Sequence, residues 1–158
     1  MCRAAVGIAL LAVVAAGCGR CGRAGGDDPE AQVRAVMARV EQAAKEADIK
    51  ALRSFVSETY KDPDGRNKEA IGQFLTFHYL RNRSHHIFTV LRDVSLPEPD
   101  RARVEALVAL AGQPISGPDA LANVSANLFA FTFVLREEDD EWRFISTTWD
   151  RATPADFL

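Results

Sequence analysis

Few side chains in this sequence could do chemistry, and their spacing narrows what that chemistry is. The chain has three histidines and three cysteines. His78 follows Ile71, Phe74 and Leu75 at helical spacing, which aims it inward, where a neutral imidazole supplies one donor and one acceptor. A histidine held in the core by a backbone hydrogen bond satisfies the same spacing. His85 and His86 are neighbours on a strand, point to opposite faces and cannot together grip a metal ion without a bulge. With Arg81 and Arg83 they form a basic cluster, suited to an anion or simply to solvation. Asp62-x-Asp64-Gly65 opens like a calcium loop but lacks the closing bidentate Glu, and a turn accounts for it fully. No metal site and no cofactor is expected. Asp93 lies beside Arg92 and Asp150 near the chain end, so neither is placed as a buried base.

The thiols lie elsewhere. Arg3 precedes an uninterrupted small and aliphatic run, Ala4 to Gly17, which has the n-region and h-region of an export signal. The run is shorter than the roughly 18 to 20 apolar residues needed to cross a bilayer core. It ends in Ala15-Ala16-Gly17-Cys18, which resembles the lipobox of bacterial lipoproteins, although Leu would be more usual than Ala15. That resemblance implies removal of residues 1–17, a diacylglyceryl thioether on Cys18 and acylation of its freed amine. Several acyl chains at about 0.8 kcal/mol per buried methylene give stable anchoring. Cys2 would leave with the leader and Cys18 would be a thioether, so Cys21 has no partner and no disulfide framework forms. Gly19 after the cysteine resembles outer-membrane sorting in Gram-negative bacteria. The expected location is the cell membrane or outer membrane, with the domain on the extracytoplasmic side.

Residues 18–28 comprise the lipidated cysteine and a glycine-rich tether with no apolar periodicity, which holds the folded domain on the order of 15 to 20 Å from the anchor. Residues 29–158 suffice for one core and not for two. The charge is nearly balanced, with 19 Lys and Arg against 22 Asp and Glu, and nothing in it asks for nucleic acid.

Asp28-Pro29 is an N-cap followed by proline at the first helical position. Val33, Val36, Met37, Val40, Ala43, Ala44 and Ala47 then recur at three- and four-residue spacing. Asp48 caps a second short helix carrying Ile49, Leu52, Phe55 and Val56, and Ile71 to His78 mark a third, weakened by Gly72. From His85 the period falls to two. Phe88, Val90, Val94 and Leu96 alternate with Ile87 and Leu91, and Pro97 to Asp100 turns the chain into Val104, Ala106, Val108 and Leu110. Strands over 124–136 and 142–151 complete the pattern. Helices first and antiparallel strands afterwards predict an α+β domain.

Phe55-Val56-Ser57-Glu58-Thr59-Tyr60-Lys61-Asp62-Pro63-Asp64-Gly65, a third helix, a long hairpin and Asp140-Glu141-Trp142-Arg143-Phe144-Ile145 together resemble the nuclear-transport-factor-2-like superfamily, which includes SnoaL-like proteins and ketosteroid isomerase. The resemblance covers roughly residues 30 to 151. It implies a cone: N-terminal helices packed on a curved antiparallel four-stranded sheet of cystatin-like type, with a pocket at the open end, often in a homodimer packed through the sheets. It implies little chemistry, because members include isomerases, cyclases and non-catalytic proteins. Ketosteroid isomerase places an Asp base with a Tyr and a protonated Asp in an apolar pocket. Here the first helix offers Val33, Val36, Met37 and Val40, so no complete catalytic set carries over.

The expectation is therefore a membrane-tethered, non-catalytic domain that binds a small apolar ligand or scaffolds an envelope protein. The alternative is an isomerase or dehydratase of the SnoaL-like type. Tyr60 at the end of the second helix, His78, and Thr148 and Asp150 on the strand face of Trp142 and Phe144 are the expected pocket groups. An apolar cavity would favour a ligand binder, convergent polar groups an enzyme, and a cavity filled by Phe129 to Phe133 a scaffold.

Overall fold

A computed structural model describes residues 28–82 and 85–158; Cys18, Cys21, the leader, most of the tether and Arg83 lie outside the described residues. The helices start where local chemistry says they should. Asp28 accepts a hydrogen bond from the Glu30 amide at 3.0 Å and α1 runs Pro29–Lys45. Asp48 caps α2, Ile49–Ser54, through the Ala51 amide at 2.9 Å. Asn67 does the same for α3, Lys68–Arg81, through Ala70. Each cap satisfies one of the amides a helix start leaves without a partner.

Between α1 and α2 the chain makes a tight reversal. The Asp48 amide donates to Ala43 and the Ala47 amide to Ala44, with Ala47 in the left-handed region at φ 55°. This is a Schellman cap built on alanine instead of glycine. The second helix is shorter than its apolar spacing predicts. Val56 forms a parallel bridge with Phe144, with Ser57 donating to the Phe144 carbonyl and the Phe144 amide to Phe55. Backbone committed to a strand edge cannot stay helical, so Tyr60 sits in the following loop and not at a helix end.

Strands β1 (His86–Glu98), β2 (Arg101–Ala111), β3 (Ala126–Glu138) and β4 (Glu141–Arg151) form an antiparallel sheet in the order β1-β2-β3-β4. The β3–β4 turn holds Asp139 and Asp140 at φ 52° and 63°, the two-residue geometry that suits the twist of paired strands. Both hairpin turns lie at one end of the sheet. The start of α1 is there too, because the Trp142 indole donates to Gln32 at 3.0 Å.

Three register shifts bend the sheet, one of them beside the β1–β2 turn, where the pairing passes from Ser95↔Arg103 to Glu98↔Arg101, and two within the strands. In β1 the pairing passes from Leu91↔Ala106 to Asp93↔Glu105, leaving Arg92 extra. In β4 it passes from Leu135↔Phe144 to Val134↔Ser146, leaving Ile145 extra. An extra residue reverses which face every later side chain occupies. Ile87, Thr89 and Leu91 consequently share the concave face with Val94 and Leu96, whereas Phe88 and Val90 lie on the convex one. The straight alternation that groups Phe88 and Val90 with Val94 and Leu96 does not survive the bulge.

The concave face packs on α1 through Val33, Val36, Met37, Val104, Leu135, Trp142 and Phe144. On the convex face Leu107, Ala109 and Leu128 are covered by two 3-10 turns of the chain itself, Pro118–Asn123 with Leu121 and Pro154–Phe157 with Phe157. Arg92, displaced by its bulge, donates to the Asp156 carbonyl and ties down the second turn. Asp93 is exposed on that convex side.

Candidate functional site

The end of the cone opposite the hairpin turns is open, and a cavity of about 330 Å³ runs inward from it. Its floor and walls are apolar: Met37, Val40 and Ala44 from α1, Leu52 from α2, Ile71, Phe74 and Leu75 from α3. The sheet adds Ile87, Val108, Leu110, Phe129, Phe131, Phe133, Phe144 and Trp149. Phe131 and Phe133 stack with centroids 5.2 Å apart, and Phe131 lies 5.9 Å from Trp149. The phenylalanines of β3 thus line the cavity and leave it empty space.

The polar groups are few. Tyr60 is 4 % exposed and shares the cavity lining with Thr147. Burial pushes the Tyr60 phenol above its ordinary value, outweighing the opposing effect of Thr147. His78 is half-buried, stacked on Phe74 at 6.3 Å, with Asn82 Nδ2 3.5 Å from its Nδ1. Burial, and secondarily the charge of His85, lowers its pKa, so it is neutral at pH 7. Glu41 lies on the lining, and its carboxylate pairs with Lys45 at 2.7 Å. Thr89 completes the set.

The sequence-predicted pocket groups divide. Tyr60 and His78 line the cavity; Thr148 and Asp150 do not. The Ile145 bulge puts Thr147 and Trp149 on the face of Trp142 and Phe144 and turns Thr148 and Asp150 outward, where both are exposed. No glycine or proline marks that bulge, so alternation alone chooses the wrong pair. Of the basic cluster, Arg81 lies over the Phe77 ring at 5.2 Å and His85 Nε2 is 3.2 Å from the Lys45 carbonyl, while Arg83 lies outside the described residues.

Arg66 is a residue that sequence reasoning passes over. Its guanidinium pairs with buried Asp62 at 2.6 Å, also with Asp64, and lies over the Trp149 ring. The Asp62–Gly65 turn therefore braces the cavity wall. Gly72, a weakness in helix propensity, makes room for the Arg53 side chain of α2, since a Cβ there would stand 2.7 Å from Arg53 Nε. Among the described residues no three His, Cys, Asp or Glu side chains are grouped to hold a metal, and no helix is long and apolar enough to cross a membrane.

No protein-family model matches the sequence, and no curated protein does. Solved structures do. A ketosteroid isomerase-like protein of Erwinia carotovora atroseptica superposes with a TM-score of 0.61 at 14 % identity, over 81 % of this chain and 99 % of that one. A candidate scytalone dehydratase of Novosphingobium aromaticivorans gives 0.63 at 10 % identity, over 77 % and 83 %. Bd1075 of Bdellovibrio bacteriovorus gives 0.59 at 14 % identity; 77 % of this chain is matched, against only 40 % of that longer one. At these identities the likeness establishes the fold, which is the cystatin-like, NTF2-like α+β cone.

Proposed function

We propose that the chain is a membrane-tethered cell-envelope lipoprotein whose cone binds a small apolar molecule without transforming it. The observation that carries the binding reading is the cavity: about 330 Å³, apolar on nearly every side, with its few polar groups neutral or paired. That volume falls at the lower end of ligand pockets, which are typically about 300 to 1,000 Å³. An apolar void also speaks against a scaffold that fills its own centre. The tether rests on the Ala15-Ala16-Gly17-Cys18 pattern.

Binding is tested by titrating the protein with the apolar fluorophore N-phenyl-1-naphthylamine. Saturable one-to-one enhancement is expected, together with its loss in Val108→Trp, which fills the cavity from β2 while circular dichroism stays unchanged. Equal enhancement in Val108→Trp would refute the cavity as the site. The anchor is tested with labelled palmitate. Cys18→Ser should abolish incorporation and Cys21→Ser should not; equal labelling of wild type and Cys18→Ser would refute it.

A second reading is an isomerase or dehydratase, favoured by the presence of the Tyr60 phenol and a neutral His78 on one cavity. In it the imidazole removes a proton beside a carbonyl and Tyr60 hydrogen-bonds the oxygen as charge develops there. It predicts turnover of an enolisable apolar ketone that His78→Gln abolishes.

A further inference from the structure

We infer that the outward stripe of α3, formed by Phe74, Phe77 and Leu80, docks on a lipid bilayer, so that the cavity opens onto the membrane and takes its ligand from it. The inference rests on the proposed function of a tethered binder and names the source of the ligand. Phe74, Phe77 and Leu80 are 52 %, 58 % and 72 % exposed, on a helix whose opposite side already packs Ile71, Leu75 and Tyr79 into the domain. Apolar side chains on both sides of a helix require a second apolar surface.

The stripe is continuous with the cavity. Phe74 is half exposed and at the same time lines the cavity, stacking on both His78 and Trp149. Phe74 thereby joins the exposed stripe to the cavity lining. A cation flanks the stripe, since Arg81 lies over Phe77, whereas Arg66, over Trp149, is neutralised by Asp62 and Asp64. Glu41, the carboxylate on the cavity lining, is paired with Lys45. Aromatic and aliphatic side chains beside arginine suit the interface of an anionic bilayer.

The tether permits the orientation. It enters at the start of α1, whereas the exposed end of α3 stands at the other end of that helix: Tyr79 donates to the Ala44 carbonyl at 2.9 Å. The 17 residues of α1 span about 25 Å. From Cys18 to Asp28 the chain extends at most about 35 Å. An acylated Cys18 can therefore lie in the same membrane that the stripe touches.

The full chain, expressed with its leader and processed in a bacterial host, is reconstituted into phosphatidylcholine–phosphatidylglycerol vesicles. An environment-sensitive dye is placed at Phe77→Cys or, as a control on the convex face, at Arg103→Cys, both in a Cys21→Ser background. Quenching by doxyl-labelled lipid should be at least about threefold stronger at position 77. Phe77→Asp with Leu80→Asp should slow transfer of vesicle-borne N-phenyl-1-naphthylamine into the cavity about tenfold, with unchanged affinity for the probe supplied in water. Equal quenching at the two positions overturns the docking. Self-quenching between dyes at position 77 with no response to doxyl lipid also overturns it, because a second copy then covers the stripe. If the dye at position 77 is quenched by lipid but the probe never enters, the docking stands and the binding reading falls.

Discussion

The Arg66 guanidinium lies 4.3 Å from the centroid of the Trp149 ring while its Nε holds Asp62 Oδ2 at 2.6 Å. One side chain thereby couples a turn to the cavity wall. Burial pushes the Asp62 carboxyl up, but hydrogen bonds from the Arg66 side chain and amide, with the Arg66 charge, outweigh it and leave its pKa below the ordinary value of 3.8. A lowered folded pKa means stability that is complete above 3.8 and lost as pH falls through the folded value. Arg66→Ala should cost about 2 to 3 kcal/mol, because it leaves Asp62 buried and unpaired. It should also change tryptophan emission through Trp149. Urea melts of wild type and variant provide the comparison, and an unchanged midpoint would remove the brace.

Thr147 and Thr148 are neighbours with opposite roles. Thr147→Val removes the hydroxyl that lowers the Tyr60 pKa inside the cavity and should cost about 1 kcal/mol. It should also alter binding of N-phenyl-1-naphthylamine. Thr148→Val and Asp150→Asn, both exposed, should change stability by less than about 0.5 kcal/mol and binding not at all. Weakened binding in the Asp150 variant alone would contradict the bulge at Ile145.

His78 gives a pH dependence in the opposite half of the scale. Burial first, then the His85 charge, lowers its folded pKa below 6.5. The neutral form is favoured in the fold, so its contribution is complete above 6.5 and declines as pH falls through the folded value. His78→Gln should flatten the stability profile in that window. Denaturant midpoints at several pH values would show it, and parallel profiles would assign the dependence to other groups.

Ala47 occupies the left-handed position of the α1 cap at φ 55°. A Cβ there costs energy that glycine avoids. Ala47→Gly should raise stability by about 0.5 to 1 kcal/mol, after allowing for the extra entropy of glycine in the unfolded chain. A thermal melt that falls in the variant would contradict the strain.

The helix starts were legible in the sequence because they depend on near neighbours. Asp28 and Asp48 cap with amides two and three residues away, and no other part of the chain is needed to predict it. The concave face of β2 was legible for a similar reason: Val104, Ala106, Val108 and Leu110 alternate without interruption, and the pairing with β3 is regular throughout. Tyr60 and His78 reach the cavity by different routes. Helical phase places His78, whereas Tyr60 arrives through the loop set by the Val56 bridge to Phe144.

Beyond the bulges, alternation within a strand no longer tells which side faces in. The extra residues at Arg92 and Ile145 are fixed by how β1 and β4 must bend to follow their partners around α1, a demand made by residues distant in the chain. The step is a single residue, and it exchanges Thr148 and Asp150 for Thr147 and Trp149. Ser146, Thr147 and Thr148 are all compatible with either face, so local composition holds no preference that could reveal the switch. Only the closed cone, in which Trp149 meets Phe131 on one side and Arg66 on the other, decides which of them look into the cavity.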